Sequence, residues 1–168
     1  MTSPDFDPRR DAEPAVRSGW LRPGERLAWT RHTPTITFQV PGRGYRGKVL
    51  KQSPWRTAGR RALAVADGAV TVLDFFASDV SSGPSRPEVR VFGTRTGCRA
   101  ATLAEANAPR SFWVLTDQRF AHLRADDGAL HTIGEIPSDE FGYSEFTHKR
   151  LTYERIVFGD GSGIDFRR

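Results

Sequence analysis

The stretch "SFWVLTDQRFAHLR", Ser111 to Arg124, decides the fold class. Apolar runs flank Asp117-Gln118, so two strands joined by a tight turn are predicted. Two further turn signals follow. "HLRADDGALHTI" folds about Asp126-Asp127-Gly128, and "RIVFGDGSGIDF" folds about Asp160-Gly161-Ser162-Gly163. An Asp-Gly pair between apolar runs is a strong hairpin signal, because both residues accept positive φ. Between these lies "FTHKRLTYERIVF", long enough for one strand or two. The expectation is an antiparallel meander over Ser111–Phe166, with Trp113, Leu115, Phe120, Leu123, Ile156 and Phe158 facing inward.

A chain of 168 residues fits one domain, or one domain with a tail, and can bury a sizeable core. Mean hydropathy is low at −0.51, yet the phenylalanines and tryptophans supply the burial a small core needs. Cys98 is the only cysteine, which excludes an internal disulfide, makes a thiolate metal site implausible and fits a reducing, cytoplasmic compartment. The opening "MTSPDFDPRRDAEPAVRSGW" has no apolar core segment and so no secretory signal. Its Pro, Asp and Arg content predicts a mobile tail over residues 1–18, ahead of a single domain over 19–168. The longest apolar candidate, Arg60 to Ala77, is short and carries two aspartates, which argues against a membrane span. Leu63, Ala66, Val70, Leu73 and Ala77 share one helical face, so a helix is expected there. A strand reading of "AVTVLDFF" competes.

Charge is unevenly spread. No acidic residue occurs between Glu25 and Asp67, whereas nine acidic residues follow Arg124 against five basic ones. Such a split implies a positive face that attracts phosphates on lipid or nucleic acid, or an acidic protein. Solvated arginines that bind nothing are the plainer explanation. Tyr45, Trp55 and Trp29 are interleaved with the charges and could stack on bases or sit among lipid headgroups. For Trp29 a core position is expected.

Within this basic segment, "PGRGYRGKVL" contains G-x-x-x-x-G-K, nearly a nucleotide-binding P-loop. Gly42, Gly47 and Lys48 satisfy the letters, but Val49 stands where a hydroxyl must hold Mg²⁺. Pro54 leaves too little room for the helix that should follow. The preceding "TPTITFQV" alternates, which reads as a half-exposed strand rather than a buried parallel one. The expectation is a β-hairpin, Thr35–Val40 with Tyr45–Leu50, closed by Pro-Gly-Arg-Gly.

"WVLTDQRFAHLR", Trp113 to Arg124, resembles the signature hairpin of bacterial PH-like domains, small barrels related to the PH/GRAM superfold. "LRPGERLAW", Leu21 to Trp29, is similar to the family's opening strand, and "RIVFGDGSGIDF" to its late hairpin. The resemblance implies a β-rich α+β fold, an antiparallel PH-like partly open barrel or meander, with a helical insertion at about 55–110. PH domains normally end in a helix that caps the barrel. None follows Phe166, so the chain is either a truncated copy or capped by the helix expected at Arg60–Ala77. The resemblance also implies a binding or scaffolding module, with "PGRGYRGK" at the exposed loop between the first two strands.

No catalytic constellation assembles from spacing. His32, His122, His131 and His148 are scattered; His122 and His131 could face each other across the second hairpin, without a third ligand at a zinc spacing. Cys98 lies just before a short helix in "GTRTGCRAATLAEA" and reads as an inert buried thiol. "GDGSGID" lacks the ligands of a calcium loop and reads as a turn. No metal, cofactor or catalytic residue is therefore expected. The candidate anion-binding residues are Arg43, Arg46, Lys48 and Lys51. The readings are a non-catalytic PH-like binding or scaffold module that meets another protein, a peripheral anionic-lipid or nucleic-acid binder through 43–61, and, favoured least, an enzyme on an unfamiliar frame.

Overall fold

The computed structural model describes residues 6–50, 88–148 and 150–168. Its elements are α1 (Pro8–Gly19), β1 (Leu27–Arg31), β2 (Ile36–Gln39), β3 (Val89–Phe92), α2 (Arg99–Glu105), β4 (Ser111–Thr116), β5 (Arg119–Asp126), β6 (Ala129–Pro137), a 3-10 turn (Ser138–Glu140), β7 (Phe141–His148), β8 (Leu151–Phe158) and β9 (Gly163–Arg167). They form two sheets, ordered β1-β4-β5-β6 and β2-β3-β9-β8-β7. The molecule is β-rich with helices, as expected. Among the described residues no closed barrel forms: β6 and β7 follow one another through the 3-10 turn but edge different sheets.

The expected meander is present as two antiparallel halves, β4-β5-β6 and β7-β8-β9, which lie in different sheets, and the turn signals explain the hairpins. β4 and β5 pair antiparallel about Asp117-Gln118, with Leu115 opposite Phe120. β5 and β6 close over Asp127 and Gly128, both at positive φ, as a two-residue primed turn requires. "FTHKRLTYERIVF" resolves into two strands, β7 and β8, with His148 opposite Leu151 and Arg150 at φ 66°. That turn has no glycine, which is why the letters left it open. The β8–β9 turn has a second role. Asp160 accepts the Arg99 amide at 2.8 Å and the Ser162 hydroxyl accepts the Ala100 amide at 3.1 Å. The hairpin thus caps α2 from outside, because Cys98 at the N-cap position provides no side-chain bond.

Two cores flank the first sheet. Between the sheets lie Trp113, Leu115, Phe120, Ile156, Phe158 and Phe166, together with the alanines of α2. The other face of the first sheet packs Phe112, Val114, Ala121 and Leu123 against Ala12 and Val16 of α1. β4 is consequently buried at every position, which its unbroken apolar run reflects. Leu123, expected with the inward group, belongs to the α1 side. All six expected residues are buried. The reason two faces are covered is α1 itself, formed where a mobile tail was expected. Asp7 caps it by accepting the Arg9 amide, Pro8 takes the first turn where no N–H is needed, and Arg17 sits in the last turn. These are ordinary start and stop signals, masked by a charged, proline-rich composition.

Two further expectations are corrected. β2 does not form a hairpin with 45–50: it is buried and pairs in parallel with β3, Ile36 opposite Val89. Residues 45–50 form no strand: they make the isolated bridge Arg43–Val49, and the Tyr45 carbonyl accepts a single bond from the Phe38 amide of β2 at 2.9 Å. β3, within the expected insertion, lies centrally between β2 and β9. The helix expected at Arg60–Ala77, its competing strand, Trp55 and Lys51 lie outside the described residues.

A clasp joins the two sequence motifs that flank β1 and β4. Arg119 Nε and Nη2 donate to the two oxygens of Glu25 at 2.8 and 2.9 Å, and the Thr116 hydroxyl donates to Glu25 Oε1 at 2.6 Å. The Arg22 amide supplies a further bond at 2.8 Å. Glu135 takes Arg119 Nη1, and the Trp20 ring stacks 3.7 Å from the guanidinium. Next to it, Asp117 accepts the amide and the Nε of Arg26, at 2.9 and 3.1 Å. Burial pushes the Glu25 carboxyl up, but the bonds from Arg119, Arg22 and Thr116 outweigh it and hold it at about 2. His122, buried and stacked on Trp113 at 3.9 Å, donates from Nδ1 to the Leu103 carbonyl; burial lowers it to about 4.

Both groups make the fold acid-sensitive with the same sign. Each has a folded pKa below its unfolded one, so its contribution is complete above the unfolded value and is lost as pH falls. His122 acts between 6.5 and about 4, and Glu25 between 4.5 and about 2. Urea-unfolding midpoints should therefore fall in two stages. Glu25→Gln should lower stability at pH 7 and flatten the lower stage only; an unaltered slope below pH 4.5 would contradict the clasp.

Candidate functional site

The loop after β2 is built as a rigid platform. Gly42 and Gly47 adopt φ of 78° and 84°, and a Cβ on Gly47 would stand 2.6 Å from the Phe38 ring. Only glycine lets the chain turn this close to β2. The Gly44 amide bonds to the Lys48 carbonyl, the Gly47 amide to Gly44 and the Leu50 amide to Gly42, each at 2.8 Å. Thr96 reaches over from the β3–α2 connection to donate to the Pro41 carbonyl at 2.8 Å.

The four candidate cations part company here. Arg43 is not an exposed ligand: its side chain is 4% exposed, with Nε on the Thr96 carbonyl at 2.7 Å and Nη1 on the Gly47 carbonyl at 2.9 Å. Nη2 pairs with Glu105 at 3.2 Å. It is the clamp that holds the loop to α2. Arg46 and Lys48 are exposed and form no ion pair with other described residues. The basic segment is partly neutralised from afar, since Arg26 pairs with Asp117 and Arg31 with Glu154 across the two sheets. Sequence distance concealed those partners.

The loop tip carries apolar side chains that the sequence reading assigned to a strand. Tyr45, Val49 and Leu50 are 57%, 50% and 52% exposed. Behind the tip, between the loop and the end of α2, lies a cleft of about 580 Å³. Its apolar surface comes from Ile36, Phe38 and Ala104, and its polar rim from Thr35, Arg46, Lys48, Glu105 and Asn107. Ala104, Glu105 and Asn107 were not foreseen, and nothing short of the fold brings them to the loop.

The structure counts against the nucleotide reading on different grounds from those expected. β2 is a buried parallel strand after all. A P-loop, however, turns its amides toward phosphate, and here the amides of Arg43, Gly44, Gly47 and Leu50 all bond within the segment. The remaining chemistry-bearing residues stay apart. His122 lies opposite Gly134 and not His131, which pairs with Arg124 beyond a register shift. His32 is bonded to the Ser111 carbonyl, and Cys98 is buried. Among the described residues no group of three His, Cys, Asp or Glu side chains could hold a metal ion, and no helix is long and apolar enough to cross a membrane.

The chain matches no protein-family model, no curated protein and no solved structure.

The division of labour among the cations is measurable. Arg43→Ala should cost roughly 1–3 kcal/mol, the range for losing bonds to a buried charged group. Arg46→Ala and Lys48→Ala should each stay within about 0.5 kcal/mol, as surface changes do. Mg²⁺ with ATP or GTP should leave the melting temperature unchanged; a stabilisation abolished by Lys48→Ala would restore the nucleotide reading.

Proposed function

We propose that this protein is a non-catalytic binding module of the PH-like kind that docks on anionic membrane surfaces through the 41–50 loop. One observation carries the reading: Tyr45, Val49 and Leu50 are exposed together on a loop whose Arg46 and Lys48 have no acidic partner among the described residues. Cations attract the headgroup layer, each contributing about 1 kcal/mol near an anionic surface. Adjacent apolar side chains then gain by leaving water for the acyl boundary. The clamp at Arg43 and the glycine turns support this use, because a rigid loop loses little conformational entropy on docking.

The non-catalytic reading rests on how the polar residues are engaged. Thr116, Asp117 and Arg119 in the "TDQR" turn bond to Glu25 and Arg26, and so serve the fold. Nucleic acid would use the cations but has less need of Val49 and Leu50, which separates the two anionic partners.

Co-sedimentation with phosphatidylglycerol-containing vesicles checks the proposal. Binding should weaken steeply with salt, and Arg46→Ala with Lys48→Ala should remove most of it. Val49→Ser with Leu50→Ser should lower vesicle binding at least tenfold at constant salt and leave any binding to DNA unaffected. Vesicle binding indifferent to the apolar pair, or absent at low salt, would refute membrane docking.

A further inference from the structure

We propose that the cleft between the 41–50 loop and α2 is a binding site for one small amphipathic anion, a phosphate or carboxylate head bearing a short apolar tail. The cleft, at about 580 Å³, falls within the size range of small-molecule sites. Ile36, Phe38 and Ala104, all buried in the fold, give it an apolar floor fixed by the core. Arg46 and Lys48 stand on one wall without an ion-pair partner among the described residues. Glu105, the only carboxylate among the described lining residues, is bonded to the Arg43 guanidinium, so it leaves the two other cations available to a ligand.

These features select for both parts of the ligand. A bare inorganic anion would leave the apolar floor wet, and a neutral alkyl chain would leave the cations without a counter-charge. The site is also preorganised. Gly47 packs against Phe38, and Arg43 ties Gly47 of the loop to Glu105 of the helix, so little rearrangement stands between the free and occupied forms. This inference goes beyond membrane docking: it shares Arg46 and Lys48 with that reading but places the ligand in the half-open cleft, where docking uses the exposed tip.

Octyl phosphate below its micellar concentration, titrated calorimetrically into the full chain, tests the site, with octyltrimethylammonium as the cationic control. One saturable site per chain is expected for octyl phosphate and none for the control. Thr35→Trp places a large ring at the cleft rim from an exposed position and should weaken octyl phosphate at least tenfold while vesicle binding persists. Arg46→Ala and Lys48→Ala should each weaken it about threefold, the scale of an exposed ion pair. Val49→Ser with Leu50→Ser should leave octyl phosphate binding intact, which separates failure of membrane docking from failure of this site. No saturable binding, equal binding of the ammonium control, or a Thr35→Trp chain that binds octyl phosphate as well as the parent would overturn the assignment.

Discussion

The guanidinium of Arg119 lies between the Trp20 ring and the Glu25 carboxylate, and this buried pair joins three parts of the chain that would otherwise separate. With side chains 6% and 0% exposed, neither charge can be left alone without a heavy desolvation cost. The cost is met because every oxygen of Glu25 is bonded, from Arg119, Thr116 and the Arg22 amide. The entry to β1 is thereby tied to the β4–β5 turn. Trp20 at the end of α1 is drawn onto the same group, and it also donates to Thr132 on β6. With α1 held there, Ala12 and Val16 cover the face of the first sheet that a simple two-sheet packing would leave wet.

The same logic, a cation placed where its partner is distant in sequence, recurs through the molecule. Arg31 crosses from β1 to Glu154 of the second sheet, and its Nη1 donates to the Arg167 carbonyl at 2.8 Å. Arg155 is bidentate on the fully buried Asp165 and lies over the rings of Phe92 and Phe146. Arg43 clamps the 41–50 loop. Arg22, Arg26, Arg31 and Arg43 of the first half are therefore used internally, by acidic residues of the second half. On the 41–50 loop, the cations left for a partner among the described residues are Arg46 and Lys48, beside an apolar tip and above an apolar-floored cleft. That remainder, and not the overall charge, is the basis of the proposed membrane docking.

Local chemistry in the sequence was enough for the meander, because Asp-Gly pairs and alternating apolar residues act within a few positions of one another. It also argues against a Mg²⁺-binding P-loop, because Val49 offers no hydroxyl. Composition misled where helix signals were diluted: Asp7, Pro8 and Arg17 announce α1, but charge and proline made the stretch look like a tail. The parallel pairing of β2 with β3 was not legible, since the two strands lie about fifty residues apart and parallel partners carry no turn signature. Arg43 was read as a free charge for a similar reason. Its partners Thr96 and Glu105 become neighbours only when α2 packs beside the loop. Sequence alone determined the strands of β4–β6, the glycine-bearing turns and the pool of cations; tertiary structure decided which cations are buried and which face outward, because ion pairing and desolvation depend on distances that only the folded chain sets.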